Sequence, residues 1–189
     1  MADRRDELLD GATAWAFDHG LAQLSLRPLA TALGTSDRML LYYFGSRDQL
    51  VLDIAARATT VLVATMPAVD PDRPPRSSRA WLDACWALYT DPAVRPAMSF
   101  LFELDALGTR EPGNLRDAAR LVADAWIATV DRALAALGVA SRSRAGLTRV
   151  VAAALVGLAL DALVADEPER PTAAMAVLTR LIDGERTTG

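Results

Sequence analysis

Serines at 25, 36 and 46, with a glycine at 34, divide the stretch from Leu24 to Leu50 into helices too short to stand alone. A serine starts a helix because its hydroxyl can accept one of the unpaired first-turn amides. Ser25 therefore predicts a helix over Leu26–Leu33, with Pro28 tolerated in a first turn whose amides have no intrahelical partner. Gly34 ends it. Ser36 predicts a second helix over Asp37–Phe44, and Ser46 a long apolar one reaching about Thr65. Short helices gain their stability from tertiary packing, so the first two must bury a face against each other. Ala30 is small enough for their crossing, and Leu29, Leu33, Leu40 and Tyr43 supply the inner faces. Two helices joined by a tight glycine-containing turn form a helix-turn-helix, whose second helix lies in the major groove of DNA.

The residues at the start of that second helix carry suitable chemistry. Its first turn meets base edges, where Asp37 can accept from cytosine N4, Arg38 can donate to guanine O6 and N7, and Met39 can touch a thymine methyl. Ser25, Arg27, Thr35, Ser36, Tyr42 and Arg47 complete the candidate DNA-binding set, most of them as phosphate contacts that fix register without reading sequence. The net charge of −4 argues against indiscriminate binding to nucleic acid. Between Ser25 and Arg47, however, Arg27, Arg38 and Arg47 stand against Asp37, and the early acids gather instead at Asp3, Asp6, Glu7 and Asp10. Two plainer readings stay open: Asp37 also suits the positive end of a helix, and Arg38 a solvated surface.

The phrase "LSLRPLATALGTSDRMLLYYFGSRDQL" resembles the N-terminal DNA-binding domain of the TetR family of bacterial transcriptional repressors. Its most specific part is Leu40 to Leu50: a leucine, a run of aromatics, a spacer, then serine, a basic residue, an acid and leucine. The family commonly places a phosphate-binding tyrosine directly after the first leucine; here Leu41 stands there, and Tyr42 is the expected phosphate ligand. The resemblance implies an all-α chain with a helix-turn-helix domain over residues 1–50 and a helical ligand-binding and dimerisation domain over 51–189. It further implies a homodimer whose last two helices form an intersubunit bundle, and a small effector that loosens the DNA complex.

Helical periodicity carries the rest of the chain. Helices are expected at about 3–17, where His19 and Gly20 end the first, then at 78–89, 94–107, 115–137, 142–164 and 172–182. Proline-rich "MPAVDPDRPPR" and "ADEPERP" are expected as loops. Trp81, Cys85, Trp86, Tyr89, Met98, Phe102, Glu103 and Trp126 form a candidate pocket for a mainly apolar ligand, although core packing explains any one of them as well. Leu155, Leu158, Ala159, Ala162, Met175, Leu178 and Ile182 are the candidate dimer interface. The apolar run from Val150 to Leu160 stops at Asp161, too short for a bilayer, and is expected as a buried helix.

A lone cysteine, Cys85, forms no intrachain disulfide, and the N-terminus lacks a secretory apolar run, so the expected location is the cytoplasm with no membrane partner. Cys85 between two tryptophans reads as a buried thiol rather than a redox sensor. One histidine, placed at a helix end, supports neither a metal site nor a catalytic base, and no nucleophile, base and acid share a motif. No enzyme activity, cofactor or metal is expected. The expected function is a homodimeric regulator, most simply a repressor, that binds operator DNA and releases it on binding an effector. The alternative is a helical small-molecule-binding or interaction protein with no operator.

Overall fold

The computed structural model describes residues 2–65, 75–110, 113–167 and 172–186. Its helices are α1 (Ala2–His19), α2 (Leu26–Ala32), α3 (Asp37–Phe44), α4 (Arg47–Thr65), α5 (Ser78–Tyr89), α6 (Arg95–Gly108), α7 (Asn114–Ala136), α8 (Ser141–Ala165) and α9 (Thr172–Gly184). The all-α expectation holds, and among the described residues the extended pairing is one antiparallel bridge, Val139 with Arg186. The expected proline-rich loops fall largely on 66–74 and 168–171, outside the described residues.

Local chemistry sets the boundaries. Ser36 Oγ accepts from the Met39 amide at 3.3 Å, and Ser46 Oγ from the Gln49 amide at 3.0 Å. Gly20 and Gly34 end α1 and α2 with φ of +79° and +62°, a region that costs a residue with a Cβ. His19 stacks on Trp15 and places Nδ1 2.9 Å from the Trp15 carbonyl oxygen, a helix-end role. One expected cap differs. Ser25 has the extended backbone of an N-cap, but its side chain makes no capping hydrogen bond. Ser141 lies inside α8, with Ala140 in the cap position.

Two compact units result: Met1–Leu62 with Pro96–Ala123, and Val63–Arg95 with Asp124–Gly189. The first runs beyond residue 50 to include most of α4, all but the first residue of α6, and the beginning of α7. Leu8, Leu9, Ala12 and Ala16 recur at helical spacing on α1 and are buried, as are Leu29, Leu40, Phe44, Leu50 and Ile54. Arg5 joins α1 to α3 and α4: it pairs with Asp53, its Nε donates to the Tyr43 carbonyl at 3.4 Å, and its guanidinium lies 5.0 Å from the Phe44 ring centre. Arg57 of α4 reaches Asp6 at 3.4 Å and Asp10 at 3.3 Å, so the acids gathered on α1 face a cation within the same unit.

The second unit has its own core, in which Leu82, Val130, Leu134, Val151, Leu155, Leu178 and Ile182 bring together α5, α7, α8 and α9. Buried Ser78 donates from Oγ to Asp183 at 2.6 Å and so ties the start of α5 to the end of α9. Among the described helices, α8 is long and apolar enough to cross a membrane by length and composition. It is nonetheless two-faced: Leu147, Val151, Leu155, Ala159 and Ala162 are buried, while Val150, Ala153, Gly157, Leu160 and Val164 face outward. The expectation of a buried helix holds on the first face and not on the second.

Candidate nucleic-acid interface

The helix-turn-helix is built from α2 and α3. The Thr35 amide donates to the Ala30 carbonyl at 2.9 Å across the turn, and Ala30 is buried where the helices approach. On α3 the anchors are Leu40 and Phe44, both buried, which turns Arg38 and Tyr42 to the opposite side. Tyr42 is 65% exposed, and Asp37, Arg38 and Met39 are exposed as well. Tyr43 is half-buried, its ring edge-on to Tyr42 at 5.2 Å. The outer side of α3 thus offers one guanidinium, one carboxylate, one phenol and apolar side chains, the groups needed to meet base edges and phosphate together.

Around α3, Ser25, Arg27 and Ser36 are exposed, and Thr35 is half-buried. Arg47 has an internal partner that its position in the sequence does not announce. Its Nε donates to the Leu24 carbonyl at 3.0 Å, and its Nη1 lies 3.7 Å from Asp48, leaving the side chain 44% exposed. Arg47 therefore supports the loop before α2, with part of its guanidinium still open to an anion. Leu41, outside the expected set, is exposed on the same helix.

The expected pocket residues divide between the two units. Met98, Phe102 and Glu103 belong to the first; Trp81, Cys85, Trp86, Tyr89 and Trp126 belong to the second. Glu103 forms a clasp within the first unit: its Oε2 accepts the Leu21 amide and its Oε1 the Ala22 amide, both at 2.6 Å. Trp81 and Cys85 are buried in the second unit's core, and burial pushes the Cys85 thiol up to about 12. Trp86, Tyr89 and Trp126 are half-buried against that core, with Tyr89 and Trp126 edge-on at 5.9 Å. The Trp126 indole N–H donates to the Ala152 carbonyl at 3.3 Å. Of the second unit's expected pocket residues, those three aromatics retain surface for a ligand.

The expected dimer residues lie mostly inside their own chain. Leu155, Met175, Leu178 and Ile182 are core residues of their own chain, Ala159 and Ala162 are buried, and Leu158 is half-buried. Both faces of α8 are apolar, and these residues occupy the one that meets their own chain. The outward side holds Val150, Ala153, Gly157, Leu160 and Val164 on α8, with Ala173, Val177 and Leu181 on α9. Among the described residues no three His, Cys, Asp or Glu side chains gather as metal ligands.

Residues 8–58 match the family described as bacterial regulatory proteins, tetR family. A member of the TetR family from Streptomyces coelicolor A3 is 27% identical with a TM-score of 0.71, over 94% of this chain and 97% of its own. The multidrug binding protein EbrR, solved in complex with proflavin, is 26% identical with a TM-score of 0.69, over 94% and 99% of the two chains. A transcriptional regulator from Rhodococcus sp. Rha1 shares the fold with a TM-score of 0.76 at 19% identity, over 98% and 99%. No curated protein matches the chain.

Proposed function

We propose that this chain, whose residues 8–58 match the TetR family of bacterial regulatory proteins, is a homodimeric repressor released from its operator by a small, mainly apolar effector. The observation that carries DNA reading is α3 itself, held by Leu40 and Phe44 with Arg38 and Tyr42 turned outward. Asp37 and Arg38 read base edges, while Ser25, Arg27, Thr35, Tyr42 and the open part of Arg47 fix register on phosphate. Selection of bound duplexes from a random library tests this: an enriched palindrome supports a dimeric reader, and no enrichment refutes it.

Dimerisation is supported by the outward apolar stripe of α8 and α9. Val164 is 78% exposed, Val177 53% and Val150 52%, and the small residues Ala153 and Gly157 between them let a second helix approach closely. A second copy of the same stripe is the self-complementary surface that a twofold dimer requires. In this reading the dimer sets two α3 helices one DNA turn apart, ~34–36 Å.

Effector binding is placed at Trp86, Tyr89 and Trp126, on the edge of the second unit's core. EbrR is a multidrug binding protein solved in complex with proflavin, and the three aromatic side chains here suit a flat aromatic ligand. The mechanism is a two-state coupling: the effector prefers a state whose recognition helices no longer match one DNA turn, so it weakens operator binding by the same factor that DNA weakens effector binding. The protein acts in the cytoplasm, with its DNA.

A further inference from the structure

Met39, Leu41 and Tyr42, three of the first unit's exposed large apolar side chains, fall on one short helix. Each residue of an α-helix turns by about 100°, so Arg38 and Tyr42 form one ridge and Met39 and Leu41 lie on its opposite flanks. Leu40 and Phe44 bury the other side. A lone exposed leucine needs no explanation. Leu41, however, is 41% exposed on the helix that carries the base-reading residues, three positions after Arg38. A leucine can neither bind phosphate nor hydrogen-bond a base, and the apolar group that base edges present in the major groove is the C5 methyl of thymine. We infer that Leu41 is a specificity residue that contacts a thymine methyl on the side of the Arg38 guanine opposite to Met39. The half-site is then read by apolar contact on both flanks of one arginine. This inference rests on the proposed DNA-binding function.

The test uses the full-length protein and the palindrome selected from the random library, with deoxyuridine replacing thymine one symmetric pair at a time. Uridine keeps every hydrogen-bonding group and loses only the methyl. Wild type should lose about fourfold per methyl, the effect of burying one CH2-sized group, and about fifteenfold for a symmetric pair. Leu41→Ala should bind the thymine operator more weakly and become indifferent to uridine at one pair, while keeping its response at the pair read by Met39. Leu41→Val should give an intermediate response. If Leu41→Ala keeps the wild-type response at every pair, or weakens operator and unrelated duplexes alike, the inference is overturned and DNA binding stands. If wild type selects no duplex, both are overturned.

Discussion

Glu103 accepts the backbone N–H of Leu21 at 2.6 Å, across 82 positions of sequence. Its second oxygen takes the Ala22 amide, and the turn that presents the two amides begins at Gly20, where a Cβ would stand 2.9 Å from the same carboxylate. A carboxylate suits two converging donors because each oxygen only accepts. Glu103→Gln turns an NH2 towards one of them. The variant should lose about 1–3 kcal/mol, read as a fall in Tm of roughly 2–12 °C for a chain of this size. Its effector response should persist. A variant that melts like wild type but has lost its effector would return Glu103 to the ligand site.

Gly20 carries its own expectation. Gly20→Ala meets both the positive φ and the Glu103 oxygen, so it should destabilise by at least as much as Glu103→Gln. In the double variant the two losses should be less than additive, since they disrupt one turn. Full additivity in thermal melts would show that the turn and the carboxylate act independently.

Cys85 is 1% exposed, and burial raises its thiol from about 9 to about 12. The native protein should therefore react with a thiol reagent at neutral pH only through unfolding, because the thiolate is the nucleophile. The sign of the pH dependence follows. Between pH 9 and 12 the unfolded chain has released a proton that the folded chain keeps, so this contribution to stability is intact below 9 and is lost progressively as pH rises towards 12. Rapid labelling of the folded protein at about pH 7 would contradict the burial.

Gly157 separates folding from assembly. A Cβ there meets nothing within 4 Å, and glycine inside a helix is less favourable than most residues by up to about 1 kcal/mol, so Gly157→Arg should leave each chain folded. Placed in the outward stripe, the same guanidinium blocks close approach of a second α8. Sedimentation should show a folded monomer with operator affinity greatly reduced. Leu155→Arg, in the core, should instead prevent folding. A dimeric Gly157→Arg protein would move the interface elsewhere.

The helix-turn-helix was legible because its signals are local: Ser36 caps through its own hydroxyl, Gly34 supplies a positive φ, and Leu29 and Leu40 are buried as their spacing suggests, although Phe44 rather than Tyr43 anchors the end of α3. Phase was harder. On α8, valine, leucine and alanine occupy every face, so periodicity marks a helix without saying which stripe meets its own chain, and Leu155 and Val150 look alike in sequence. Partners distant in sequence left no signal at all. Nothing around Glu103 announces the Leu21 amide, and nothing around Arg47 announces the Leu24 carbonyl.

The hydrogen bond from Arg47 to Leu24 changes what removal of a phosphate ligand should look like. Among the described residues Arg38 makes no hydrogen bond like that of Arg47 to Leu24, so Arg38→Ala should melt like wild type, cost about 1–3 kcal/mol on the selected operator and relax the choice at one base position per half-site. Arg47→Ala removes both a charge near phosphate and the hydrogen bond to Leu24. It should weaken binding to operator and unrelated DNA alike, lower the salt slope by about one for each phosphate no longer neutralised, and reduce stability by about 0.5–1.5 kcal/mol. Arg47→Gln can keep a donor for the Leu24 carbonyl, so it should recover part of the stability without recovering the salt slope. Isotherms at several salt concentrations, beside thermal melts of the three variants, read the two roles separately. If Arg47→Ala alters base preference while Arg38→Ala weakens every duplex equally, reading and anchoring belong to the opposite residues.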